Sequence, residues 1–291
     1  MSYAFTIEPG SEVSLMEYDP DHTGGLSKDE ALLKLDKLGK EMGELQELLF
    51  AASDTALLIV LQGMDTSGKD GAIQGILKYT NVQSCRVTSF KVPTEEERAH
   101  DYLWRVHKEV PRRGAVGIFN RSHYEDVLVV RVHNLTPEEI WKARYQQINE
   151  FESLISSNKT IIVKFFLHID KDEQQQRLLD REEDTTKAWK LAVNDWKERE
   201  LWSQYQKAYE DALSKCSTEQ APWCVVPSNH KWFRDLAVAE RITDALRPYR
   251  DDWMERLTEI GKTAKAELAE HRAAQKRSSS AVGTTMLLEP E

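Results

Sequence analysis

The stretch GMDTSGKDG, residues 63–71, has the side chains and spacing to handle phosphate. Gly63, Gly68 and Lys69 fit the pattern G-x-x-x-x-G-K-[ST], in which loop N–H groups and a helix N-terminus face phosphate and the lysine neutralises it. The pattern then asks for a hydroxyl that ligates Mg²⁺. This chain has Asp70 there, and a second acid, Asp65, lies inside the loop. Two carboxylates repel a polyanion unless a divalent cation stands between. Hard cations prefer oxygen ligands and bridge carboxylate to phosphate. Asp65 and Asp70 are therefore candidate metal ligands, with more than one Mg²⁺ expected and Mn²⁺ able to substitute. The competing reading gives Asp70 a structural task, stabilising the N-terminus of the next helix.

Three further stretches complete the candidate chemistry. FNRSHYED, residues 119–126, ends an apolar run. Asn120 is a neutral metal or water ligand, Arg121 a phosphate clamp, and Glu125 with Asp126 restores negative charge. The alternative is a strand-to-helix turn capped by Asn120 and Ser122. KVPTEEERAHDYLWRVHKEVPRR, residues 91–113, reads as one helix with Thr94 as N-cap. Asp101, Arg105, Lys108 and Arg112 then share a face. Lys91, Pro93, Asp101 and Arg105 are candidates to hold an acceptor nucleotide, joined by Asn120, Arg121 and Glu125. Tyr102 and Trp104 fit a core better than a base stack. Finally, DKDEQQQRLLDREEDTTKAWK, residues 170–190, places Arg177 and Arg181 on one helix face, followed by Lys187 and Lys190. It reads as a basic lid that closes over transferring phosphates, or as a surface helix salt-bridged to Asp180, Glu182 and Glu183. Phosphoryl transfer asks for positioning and charge neutralisation, so no nucleophile–base pair is needed.

The elements that must position these residues follow a simple alternation. Ser27-Lys28-Asp29-Glu30 is a capping box, and leucines at three- and four-residue steps carry a helix to about Phe50. Five strand-like runs follow: 57–61, 86–90, 115–120, 161–169 and 223–228. Most are continuously apolar, as in a sheet covered on both faces. Helical stretches between them, including those begun by Thr136-Pro137 and Asp170, predict a doubly wound α/β fold with a five-stranded parallel sheet. Ligands then bind at the C-terminal strand ends. Residues 1–26 read as an extended arm, 27–250 as the main domain with a lid at about 171–200, and 251–291 as a charged helical tail ending in a disordered Ser/Gly stretch.

Composition narrows the class. The 291 residues are 40% hydrophobic and 30% charged, with a formal net charge of −10. That charge argues against general nucleic-acid binding. Yet seven Lys/Arg against four acids between Arg98 and Arg131 make a locally basic band, which is either an anion site or a solvated face. No apolar run suits a membrane span, the N-terminus lacks a signal-peptide pattern, and three scattered cysteines suggest a reducing cytoplasm.

GMDTSGKDG, SFKVPTEEE, HDYLWRVHKEVP, FNRSHYEDVLVVRV, the KDEQQQR…WK segment and STEQAPW together resemble the second family of polyphosphate kinases, most closely its class III. The likeness covers roughly residues 10–250. It implies a thymidylate-kinase-like P-loop kinase fold, three-layer α/β/α with a helical lid. It also implies Mg²⁺-dependent transfer between inorganic polyphosphate and AMP or ADP, without a phosphoenzyme. Asp65, Lys69 and Asp70 fall on the family's P-loop residues, Arg121 on its Walker-B arginine, and Arg177, Arg181, Lys187 and Lys190 on its basic lid. ADP-preferring members carry an acid in place of Asn120 and lack Glu125-Asp126, which aligns this chain with AMP/ADP users. Guanine nucleotides are further candidate acceptors. Members are often tetramers, so a homo-oligomer, tetramer or dimer, is expected, with the long N-terminal helix as a contact. The alternative is an ATP-dependent nucleoside monophosphate kinase of the same fold.

Overall fold

In the computed structural model, which describes residues 2–184 and 193–285, every strand expected from the sequence forms. In chain order the strands are β1 (Phe5–Thr6), β2 (Ala56–Gln62), β3 (Cys85–Ser89), β4 (Val116–Asn120), β5 (Thr160–His168) and β6 (Trp223–Pro227). They make one sheet in the order β1-β6-β5-β2-β4-β3. β2 through β6 pair in parallel, whereas β1 runs antiparallel to β6, with Phe5 opposite Val225. The sheet is therefore six-stranded and mixed, not five-stranded and parallel. The addition comes from the arm, whose two paired residues cover the edge that β6 would otherwise leave open.

The helices are α1 (Lys28–Ala52), α2 (Lys69–Leu77), α3 (Glu95–Ala99), α4 (Trp104–His107), α5 (Val129–Val132), α6 (Glu138–Ser157), α7 (Lys171–Glu183), α8 (Val193–Glu200), α9 (Trp202–Cys216), α10 (Lys231–Leu246) and α11 (Arg250–Thr285). Ser27 and Glu30 form the reciprocal capping box of α1. α1 packs on α10, which also meets α2 and β5, while α5, α6 and α9 pack together. Alternate residues of β2 divide between these groups. Leu58 and Val60 join a core with Tyr145, Ile148 and Tyr209, and Leu57, Ile59 and Leu61 point the other way, equally buried. Two helical layers thus sandwich the sheet.

The stretch 91–113 is not one helix. α3 stops at Ala99, and α4 starts at Trp104. Asp101 makes the break, because its carboxylate accepts from the N–H groups of Leu103 and Trp104, competing with helix continuation. Asp101, Arg105, Lys108 and Arg112 consequently do not share a helix face. Residues Met1–Pro248 form one compact unit and Tyr249–Glu291 a second, which contains α11; its helical backbone extends to Thr285, through the Ser/Gly stretch.

Candidate active site

β2 and β4 lie side by side in parallel, with Leu61 opposite Asn120, so their C-terminal ends open on the same edge. The glycine loop leaves β2 there and enters α2 at Lys69. Arg121 follows β4 directly. Its backbone N–H donates to Leu61 O at 3.1 Å, and its φ of 60° lies in the left-handed region. A non-glycine residue held in that conformation is strained, and such strain persists where surrounding structure over-determines it. Here the bond to β2 and the following turn aim the guanidinium back across the loop.

Two acids receive that guanidinium. Arg121 Nη2 reaches Asp65 Oδ1 at 2.5 Å, and Nη1 reaches Glu125 Oε2 at 3.2 Å. Glu125 also accepts from Gln62 Nε2 at 2.9 Å, and Asp70 accepts from Asn120 Nδ2 at 3.0 Å. Glu125 first and Asp65 next push the Arg121 value upward against the cost of burial, so the side chain stays cationic. Lys69 is buried, and its Nζ donates to the carbonyls of Gly63 (2.8 Å) and Met64 (3.1 Å). Burial, aided by the Arg121 charge, lowers it to about 8, with Asp65, Glu125 and Asp70 opposing. An anion beside this ammonium would raise that value again. The buried atoms Gln62 Oε1, Thr66 Oγ1 and Ser67 Oγ lack a protein hydrogen-bond partner. Buried polar atoms are rarely left so, and two of these three belong to the loop itself.

The lid side reaches the same place. Gln174 Nε2 donates to the Asp65 carbonyl at 3.1 Å, and Gln174, Glu198, Tyr205 and Tyr209 wall a narrow pocket with Gly63, Met64, Asp65 and Arg121. Arg177 does not project into solvent. It is buried, donating to the carbonyls of Thr66 (2.9 Å), Ser228 (2.6 Å) and Asn229 (2.9 Å), with Nε on Glu173. It holds the loop from beneath. Arg181 reaches Asp195 at 3.3 Å. Lys187 and Lys190 lie outside the described residues.

The acceptor candidates divide. Pro93, Asp101 and Arg105 line a cavity of about 790 Å³ with Asp126 and Arg144, where burial raises Asp126 although Arg144 opposes it at 3.0 Å. Lys91 borders a separate, smaller pocket that Arg105 also lines. Arg105 is buried beneath the β3–α3 loop, with Nη1 on the Lys91 carbonyl at 2.8 Å. Asp126 turns away from Arg121 and toward this cavity. Thus Asp65, Lys69, Asp70, Asn120, Arg121 and Glu125 are one cluster, whereas Pro93, Asp101 and Arg105 lie beyond it. Sequence reasoning missed Gln62, Tyr205, Tyr209 and Arg234. Only Gln62 carried a usable signal, its position at the end of a central parallel strand directly before the glycine loop.

No group of three or more His, Cys, Asp or Glu among the described residues is placed to hold a metal by itself. None of the described helices is long and apolar enough to cross a membrane.

Comparison with known proteins agrees with this geometry. The family model for polyphosphate kinase 2 (PPK2) matches residues 25–252. An AMP/ADP-polyphosphate phosphotransferase of Meiothermus ruber is 48% identical over 244 residues, covering 83% of this chain and 91% of the relative. An ADP-polyphosphate phosphotransferase of Rhodopseudomonas palustris is 41% identical over 228 residues, covering 74% and 79%. The crystal structure of polyphosphate kinase 2 from Arthrobacter aurescens superposes with a TM-score of 0.80 at 41% identity, covering 86% of this chain and 93% of that one. With a glycine loop, a buried lysine and a carboxylate–arginine cluster on one sheet edge, and with most of its length matched, the chain belongs to the polyphosphate kinase 2 family.

Proposed function

We propose that the protein transfers phosphoryl groups between inorganic polyphosphate and AMP or ADP, on a thymidylate-kinase-like P-loop kinase fold with α7–α8 as its lid. The observation that carries this reading is the cluster at the loop. Among the described residues, three carboxylates, Asp65, Asp70 and Glu125, stand at the mouth beside the cations Lys69 and Arg121. That placement is wrong for a bare polyanion and right for one that arrives with divalent metal.

The residues fit Mg²⁺. This ion typically takes one or two protein carboxylates and completes its shell with water and phosphate oxygens. Asp65 and Asp70 would hold it, with Asn120 and Glu125 at its edge, and the buried Thr66 and Ser67 hydroxyls are free of protein partners for the phosphates. Bound there, the ion would neutralise charge on the transferring phosphoryl group. Lys69 gives up its two carbonyl bonds for phosphate oxygens. With Asp65 holding the metal, Arg121 would be free to clamp the phosphate in transfer. Lid closure by Gln174 over the wall formed by Tyr209 excludes water, so the acceptor nucleotide rather than water takes the phosphoryl group. The acceptor enters from the side of Pro93, Asp101 and Arg105. Adenine nucleotides are the first expectation and guanine nucleotides the second. Three free cysteines suit a reducing cytoplasm, and a tetramer or dimer through the α1 face is the expected assembly.

A donor–acceptor matrix tests this: polyphosphate or ATP against AMP, ADP, GMP and GDP. Polyphosphate with AMP should give ADP and then ATP. AMP phosphorylation by ATP and not by polyphosphate would instead make this an ATP-dependent nucleoside monophosphate kinase.

A further inference from the structure

We propose that Arg234, which follows β6 by seven residues, is a positioning residue for phosphoryl transfer, setting the loop-to-helix junction from below. The inference rests on the reading of residues 63–71 as the phosphate loop. Arg234 is 3% exposed, and its Nε (2.9 Å) and Nη2 (2.7 Å) both donate to Asp235 Oδ1. This fork fixes the plane of the guanidinium, and its far edge lies against the junction. A Cβ built on Gly68 would stand 2.0 Å from Arg234 Nη1, and one built on Gly71 would stand 2.8 Å from Nη2 and 3.3 Å from Nη1. Both glycines therefore leave the space that one side chain occupies.

Gly68 also holds φ at 101°, immediately before Lys69. Its second flank is Arg177, whose Nη1 bonds the Thr66 carbonyl. Two guanidiniums, each neutralised by its own acid (Glu173 for Arg177, Asp235 for Arg234), thus cradle the turn where the loop N–H groups and Lys69 converge. A displacement of the turn by about 1 Å would misalign every phosphate contact at once, a disturbance that can cost on the order of 100-fold in rate.

Gly71 lets the guanidinium be moved without touching it. In Gly71→Ala the new methyl points at Arg234, the end of a flexible side chain, and alanine favours the helix over glycine by up to about 1 kcal/mol. If Arg234 positions the loop, Gly71→Ala should melt at or above the wild-type temperature. It should lose about 10- to 100-fold in kcat/KM with polyphosphate and Mg²⁺. The KM for polyphosphate should rise while that for AMP holds. Arg234→Lys, which keeps charge without the planar fork, should behave likewise. In the double variant Arg234→Ala with Gly71→Ala, the second change should cost nothing further. The proposal is overturned if Gly71→Ala and Arg234→Lys stay within about twofold of wild type, below the size of any positioning effect. It is overturned equally if the losses multiply in the double variant, or if activity falls only in step with melting temperature. Wild type assayed alongside separates the cases: an inactive wild type would refute the functional reading itself.

Discussion

Two charged clusters lie within a few residues of one another and are built on opposite terms. The first is sealed. Lys164, in the middle of β5, is fully buried, and its Nζ donates to Glu152 Oε2 (2.6 Å), the Tyr124 hydroxyl (2.9 Å) and the Cys216 carbonyl (2.6 Å). All three of its protons are placed. Tyr124 in turn donates to Glu152 Oε1 at 2.8 Å, and His123 Nε2 lies 3.1 Å from the same oxygen, so every charge here is met within the protein although the neutral edge of the ring, His123 Nδ1, has no protein partner. The second cluster, at the loop, has partly exposed carboxylates and buried hydroxyls without protein partners. Arg121 and Glu125 sit on either side of Ser122, His123 and Tyr124, so the sealed network anchors the very turn that presents the open cluster. Charges that fix the fold are matched within the protein; charges that serve a ligand are left to be matched by it.

The largest effect should come from unsealing the first cluster. Lys164→Met leaves Glu152 buried without its cation, and breaking such a pair costs about 3–5 kcal/mol. Urea unfolding should show this loss, and a midpoint equal to wild type would refute the structural role. Next, Arg121→Ala should lower kcat/KM about 100- to 1,000-fold, the scale of losing one stabilising group aimed at transition-state charge. Its unfolding midpoint should stay near that of wild type. A large stability loss with retained turnover would reverse the comparison.

Smaller effects sharpen it. Asp70→Asn should move the Mg²⁺ concentration for half-maximal rate upward by about tenfold, since a neutral amide binds a hard cation poorly. An unmoved titration would remove Asp70 from the metal. The smallest effect is on pH stability. Burial alone would raise Glu152, but Lys164 and the His123 hydrogen bond outweigh it, and its value is lowered below the ordinary 4.5. The folded state therefore releases this proton more readily than the unfolded chain. The resulting stability is in place above pH 4.5 and declines as pH falls through the folded value. Melting curves should show this acid loss in wild type and a flatter profile in Glu152→Gln with Lys164→Met. Parallel profiles would contradict the linkage.

The sequence was legible where the signal is local. Largely apolar runs revealed β2, β4, β5 and β6, the mixed run RVTSF revealed β3, and the spacing of Gly63, Gly68 and Lys69 revealed the loop. β1 was hidden because two residues carry no periodicity. The break between α3 and α4 was hidden because Asp101 reads equally well as a helix-face acid and as a cap. Arg177 and Arg181 looked alike four residues apart, yet one is buried on three backbone carbonyls and the other reaches a partner acid. Composition announces a cation and says nothing of which acceptor the fold brings to it. Lys164 was visible as the one charge inside IIVKFFLHI, but its partner Glu152 is on a different element.

The central claim is that the acids at the loop are matched by divalent metal carried on polyphosphate. Single-turnover transfer from polyphosphate to AMP, followed as Mg²⁺ is titrated into chelator-treated protein, tests it most directly. The account predicts no ADP without metal and a rise steeper than first order in Mg²⁺. Transfer that proceeds undiminished in chelator would contradict it.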